Sequence, residues 1–149
     1  MIDKSADRLE YLCVHVPPLL DKIEEQTFSF KPSNGKWSKK EILGHLIDSA
    51  TNNHHRFVRG QFEESPEIWY NQDKWNEFGY HQQMPQVQLI DFWTVYNKHL
   101  ATLIRFIPKE RLLRTCKMKD GNLKTLDFLI NDYIEHLEHH LHQIIQYDF

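Results

Sequence analysis

Four long stretches of this chain repeat their apolar residues at helical spacing, and none alternates them as a strand would. Ile2, Leu9, Leu12, Val16, Leu19, Leu20 and Ile23 form the first stripe. Ile42, Leu43, Leu46, Ile47, Ala50, Phe57 and Val58 form the second, and Leu89, Phe92, Trp93, Tyr96, Leu100, Leu103, Ile104 and Ile107 the third. The fourth is Leu126, Leu129, Ile130, Tyr133, Leu137, Leu141 and Ile144. Side chains three and four apart share one face of a helix. Helices that each have one apolar face bury it against one another, so the expectation is an all-α four-helix bundle.

The boundaries of these helices follow from their punctuation. The first runs over about residues 3–25, with Pro17 and Pro18 inside it. Two prolines remove two amide donors and crowd the preceding turn, so a kink or a break is expected there. After a polar turn at Lys31-Pro32-Ser33-Asn34-Gly35, the second helix opens on Ser38-Lys39-Lys40-Glu41. That sequence is a capping box, in which Ser38 and Glu41 each satisfy an orphan backbone amide. Trp37 before the cap and Ile42 after it have the spacing of a hydrophobic staple, and the helix continues to about Gln61.

Residues 62–85 form a long aromatic crossover to the third helix. Connections of that length either serve function as lids or cover one end of a core. The third helix covers about Gln86 to Ile107 and ends before Pro108. A short helical or extended piece follows around Glu110–Cys116, then a turn at Lys119-Asp120-Gly121-Asn122. The fourth helix, N-capped by Thr125, covers about 126–146.

The 149 residues suffice for one domain, 1–149, with a full core. A net charge of −3, with basic and acidic residues interspersed, supplies no field for nucleic acid. Cys13 and Cys116 are far apart and in no metal-type spacing, which points to a reducing compartment rather than a disulfide framework. The opening residues Met1–Arg8 are too polar for a signal peptide, and no apolar run approaches the length of a membrane span. A soluble, cytoplasmic protein is expected.

The fourth helix carries the chemistry. His136, His139, His140 and His142 fall within seven residues, just under two turns. His136 and His140, four residues apart, project about 40° from each other and can reach one metal ion. His139 lies about 60° from His136 and about 100° from His140, with His142 farther round, which leaves both off such a site. A third ligand has to come from another helix. His45 lies among core-facing positions of the second helix, but a lone histidine there is more often a buried residue with a hydrogen-bond partner than a ligand. His15, His54, His55, His81 and His99 have no partner spacing.

Trp37-Ser38, then His45-Leu46-Ile47-Asp48-Ser49 and Arg56-Phe57, then His136 followed by His139-His140 form an ordered set along the whole chain. This set resembles the DinB-like superfamily, within it the YfiT-like group of bacillithiol transferases and metal-dependent hydrolases. The resemblance implies a bundle in which the second helix gives one histidine and the last gives two, so that His45, His136 and His140 are the metal ligands. It implies one divalent transition metal, nickel or zinc, and favours attack by a low-molecular-weight thiol on an electrophilic small molecule, with hydrolysis as the broader alternative. Leu141-His142-Gln143 departs from the small-residue and histidine combinations of some relatives, which leaves the triad intact and the substrate class open.

Three neutral imidazoles bind a borderline divalent ion and leave a coordination position open, as a catalytic site needs. Such an ion lowers the pKa of a water or a thiol. Asp48, three residues after His45, can reach an imidazole nitrogen or hold a neighbouring polar group; otherwise it is an exposed carboxylate. Asn52, two turns past His45, and Asn71 and Trp75 in the crossover are candidates for contact with substrate. The zincin motif is absent because Leu137 follows His136, and no Glu has a His three residues on, which excludes the carboxylate di-iron pattern. The expected partners are a small-molecule substrate and, as a macromolecule, at most a second copy in a homodimer, with no nucleic acid and no membrane. The rival function is a non-catalytic bundle that binds a metal or ligand in stress response, or a dimerisation module.

Overall fold

A computed structural model describes residues 2–149. The four expected long helices are present as α1 (Ile2–Asp21), α3 (Lys39–Arg59), α5 (Gln86–Phe106) and α6 (Leu126–Leu141), with short helices α2 (Glu25–Ser29) and α4 (Gln72–Phe78) between them. α1 packs on α5 and α6, and α3 packs on the same two, so the bundle runs in the order α1–α5–α3–α6 around its core. Leu9, Leu12, Val16, Leu43, Leu46, Trp93, Leu100, Ile130 and Leu137 are all buried in that core. The apolar stripes therefore point where their spacing places them.

The capping box at the head of α3 is formed in both directions. Ser38 Oγ accepts from Glu41 N, and Glu41 Oε1 accepts from Ser38 N, each at 3.0 Å. Two otherwise orphaned amides are satisfied, which fixes where α3 starts and hence the phase of every residue along it. His45 inherits its inward direction from this start.

Two expectations about helix extent need correction. α1 continues through Pro17 and Pro18 as one helix and ends at Asp21 rather than at residue 25. Both prolines lie close to the helix end, and Val16 and Leu20 on either side are fully buried, so packing carries the helix past the missing donors. α6 ends at Leu141, not at 146; Ile144 N and Ile145 N both turn back to Leu141 O at 2.9 Å. The piece expected around Glu110–Cys116 contains a 3-10 turn, Lys109–Arg111, and the first strand of an antiparallel hairpin. Strand β1 (Thr115–Lys117) pairs with β2 (Leu123–Thr125) around the anticipated turn, where Gly121 takes φ +85°.

The crossover is not loose. Lys117 N donates to Pro66 O at 2.9 Å and Ile68 N donates to Lys117 O at 3.3 Å, which ties its first half to the hairpin. Arg56 of α3 donates to Ile68 O through Nη2 at 2.8 Å and through Nε at 3.2 Å. Its second half lies along α3. Asn76 Nδ2 donates to Glu41 O at 2.8 Å, and Ser38 Oγ lies 2.6 Å from Gln82 Oε1. Residues 68–75 are thereby held across the open end of the α3–α6 interface. Among the described residues no helix is long and apolar enough to cross a membrane.

Candidate metal centre

α3 delivers His45 on its buried face, where the residue is only 2% exposed. α6 packs against α3 and presents His136 and His140 from successive turns. The His45 ring lies 5.3 Å from that of His136 and 4.7 Å from that of His140, and the last two are 4.5 Å apart, centroid to centroid. One potential ligand atom of each lies within 4.8 Å of those of the others. Donors about 2 Å from a shared ion stand at most about 4 Å apart, so the three rings need only a small adjustment to share one. His139 and His142 are exposed, as the helix phase requires.

Hydrogen bonds engage Nδ1 of two of the three rings. His140 Nδ1 is 2.8 Å from Gln143 Oε1, an oxygen that only accepts, so Nδ1 carries the proton and Nε2 keeps its lone pair. His45 Nδ1 lies 3.3 Å from the Tyr70 hydroxyl. His45 Nε2 is buried with no hydrogen-bond partner among the described residues. A buried nitrogen without a partner is costly. With the proton on Nδ1, donated to the Tyr70 oxygen, Nε2 offers a lone pair to a cation.

The protonation states agree. Burial, and then repulsion from His140, His136 and His81, lowers the His45 pKa to about 3. Burial, and then His140, lowers that of His136 to about 4. Both rings are neutral at pH 7, which is the form that ligates. Geometry, the orphaned nitrogen and the donor set all fit one borderline divalent ion.

His45 and His136 open on a cavity of about 290 Å³ whose walls include Asn52, Arg56, Trp69, Tyr70 and Asp132. Trp37 packs against the outer side of His45, with ring centroids 5.0 Å apart. The Arg56 guanidinium is spent on Ile68 O and on Asn53 Oδ1, so it braces the wall. Neither cysteine supplies a nucleophile here: both are buried, and burial pushes the Cys13 thiol up to about 12.

The remaining site residues fall into two groups. Asn52 lies between the metal cavity and a second cavity beside it, lining both. Asp48 is 5% exposed, which rules out the surface-carboxylate reading. It does reach an imidazole, but that of His81, with Oδ2 2.9 Å from Nε2. Asn71 and Trp75 line the second cavity rather than the first. The Asn71 side chain accepts from Lys74 N at 3.0 Å and caps α4. Tyr70 has no site role and His81 no partner in the sequence reading, because their contacts reach back 25 and 33 residues into α3, beyond any local spacing. One signal did exist for His81. Gly44 sits in the helix interior, where glycine weakens a helix and marks a close approach. A Cβ at that position would lie 2.2 Å from His81 Cγ.

A family model of the DinB superfamily matches residues 15–144. A Bacillus cereus protein named "Putative metal-dependent hydrolase" is 24% identical over 141 residues, covering 94% of this chain and 81% of its own. A Bacillus mycoides protein of the same description is 23% identical over the same shares. Among solved structures, YfiT from Bacillus subtilis, described as a probable metal-dependent hydrolase with an unusual four-helix bundle topology, superposes with a TM-score of 0.87. It is 21% identical, with 96% of this chain and 83% of that chain covered. A mycothiol-dependent maleylpyruvate isomerase superposes with a TM-score of 0.77 at 11% identity, with 97% of this chain and 60% of that chain covered. The likeness to the two structures establishes the shared bundle.

Proposed function

This chain belongs to the DinB superfamily, and from that premise we propose that it is a metal-dependent enzyme acting on a small molecule. The ligands are His45, His136 and His140, and the metal is nickel or zinc. The observation that carries this reading is the orphaned His45 Nε2, buried in a cluster of three imidazoles of which two, His45 and His136, line one cavity.

When bound, such an ion supplies Lewis acidity and lowers the pKa of a water or a thiol. The chain's own residues do the rest. Tyr70 can accept from His45 Nδ1–H and so support the tautomer that leaves Nε2 free to ligate. Trp37, packed on His45, and Tyr133, with its buried bond to Asn97, keep the end of the site closed and rigid. Asn52, Arg56 and Asp132 line the space a substrate would enter, with amide, cation and carboxylate.

The nucleophile to be activated comes from outside, because both cysteines are buried with raised pKa values. A low-molecular-weight thiol attacking an electrophile fits that requirement, and so does water in a hydrolysis. The discriminating experiment is a panel of electrophiles assayed with the nickel- or zinc-loaded protein, with and without added thiols. Thiol-dependent turnover identifies an S-transferase, and thiol-independent turnover a hydrolase. Loaded protein with no turnover in either arm would leave a non-catalytic metal-binding bundle.

A further inference from the structure

A second cavity, of about 430 Å³, adjoins the metal cavity across a partition of Asn52, Trp69 and Tyr70. None of the three histidine ligands lines it. Its walls combine three aromatic residues, Trp69, Tyr70 and Trp75, with two carboxylates, Asp48 and Glu67. The cation on its rim, Arg59, is already bonded to Glu63 at 2.5 Å. His55 also lines it, from the exposed side of α3. We propose that this cavity binds an organic ammonium group, held between the aromatic rings and hydrogen-bonded to Asp48.

Aromatic faces attract a cation through their quadrupole, and a carboxylate partly withdrawn from water strengthens the attraction for a donor with N–H bonds. Asp48 provides such a carboxylate. It is buried, and its Oδ2 is committed to His81. No other hydrogen bond from the described residues reaches Asp48, so Oδ1 remains to accept one from a ligand. Trp75 stands edge-on to Tyr70, with centroids 5.8 Å apart and an interplanar angle of 81°, so two walls of the cavity meet at a right-angled aromatic corner. Trp69 already receives a cation on the metal-cavity side, where Lys119 Nζ lies 5.0 Å from its ring centroid.

The two cavities thus differ in charge. Arg56 and Lys119 outnumber Asp132 in the first, and Asp48 and Glu67 outnumber Arg59, itself paired with Glu63, in the second. A molecule with its amine in the second cavity extends its other end past Tyr70 toward the histidines. Taken as an amine of the substrate, the ammonium rests on the metal-dependent function proposed above; the cavity itself does not.

The test uses n-butylammonium as probe, with n-butanol and butyrate as neutral and anionic counterparts. Binding is read from the indole N–H resonances of Trp69 and Trp75, with the fully buried Trp93 as internal control. The expected result is a saturable shift at Trp69 and Trp75 with n-butylammonium alone, weakened about tenfold in Asp48→Asn and in Trp75→Leu. Should Asp48→Asn fail to fold, Trp75→Leu, at a half-exposed position, decides. Equal response to n-butanol or butyrate, no response to n-butylammonium, or unchanged affinity in the folded variants would overturn the assignment. Metal content is measured on the same samples. Ammonium binding without metal sinks the proposed function and spares the cavity, and metal without ammonium binding does the reverse.

Discussion

The Tyr70 hydroxyl lies 3.3 Å from His45 Nδ1, on the ring edge opposite the orphaned Nε2. A residue of the crossover thus contacts the far nitrogen of a histidine 25 positions earlier, on α3. Partners of this kind orient a ligating imidazole and raise its basicity. Tyr70→Phe keeps the ring against Trp75 and removes only the oxygen. Metal affinity should fall by about ten- to a hundredfold, with the thermal midpoint of the metal-free protein little changed. Competitive titration against a chromophoric chelator measures it, and unchanged affinity would remove Tyr70 from the site.

Gly44→Ala should be destabilising. The added methyl would sit 2.2 Å from His81 Cγ and 2.5 Å from Cδ2, so His81 must leave its place beside Asp48. Overpacking of this sort costs about 1–3 kcal/mol, before the lost Asp48 contact is counted. Urea denaturation gives the value, and a change within about 0.5 kcal/mol, the range of a neutral surface substitution, would refute the packing.

How far the sequence spoke depended on how local the determinants were. The four long helices and the capping box at Ser38 were legible because their partners lie within one turn. The hairpin was not, since strands of three residues are too short to show alternation. Nor was the wall of the site. Tyr70 and His81 find α3 only after the crossover folds back, and nothing in their flanking residues marks it. Pro17 and Pro18 misled for the opposite reason, a strong local signal overridden by burial of Val16 and Leu20.

Tyr133 anchors the floor of the metal cavity. Its hydroxyl donates to Asn97 Oδ1 at 2.6 Å, and both residues are buried. Asn97 Nδ2 in turn donates to Trp93 O at 2.8 Å, so the amide cannot reverse without losing that bond. Tyr133→Phe leaves a buried acceptor without a donor and should cost about 1–3 kcal/mol. Chemical denaturation checks it, and an isoenergetic variant would mean that water replaces the hydroxyl.

The cysteines should be silent in the native protein. With burial pushing the Cys13 thiol up to about 12, roughly one molecule in ten thousand carries its thiolate at pH 8. Burial also raises Cys116. Iodoacetamide at pH 8 should therefore modify neither residue in the folded chain and both after unfolding, read by intact mass. Rapid labelling of the folded protein would contradict the burial and reopen an internal nucleophile.

The central claim is that His45 completes a metal site with His136 and His140, and metal content against His45→Ala tests it most directly. After purification without chelator and reconstitution with nickel or zinc, the unaltered chain should hold about one equivalent. His45→Ala should hold almost none while keeping its helical circular dichroism. An unaltered chain that takes up no ion, or a folded His45→Ala that keeps the full equivalent, would contradict the account.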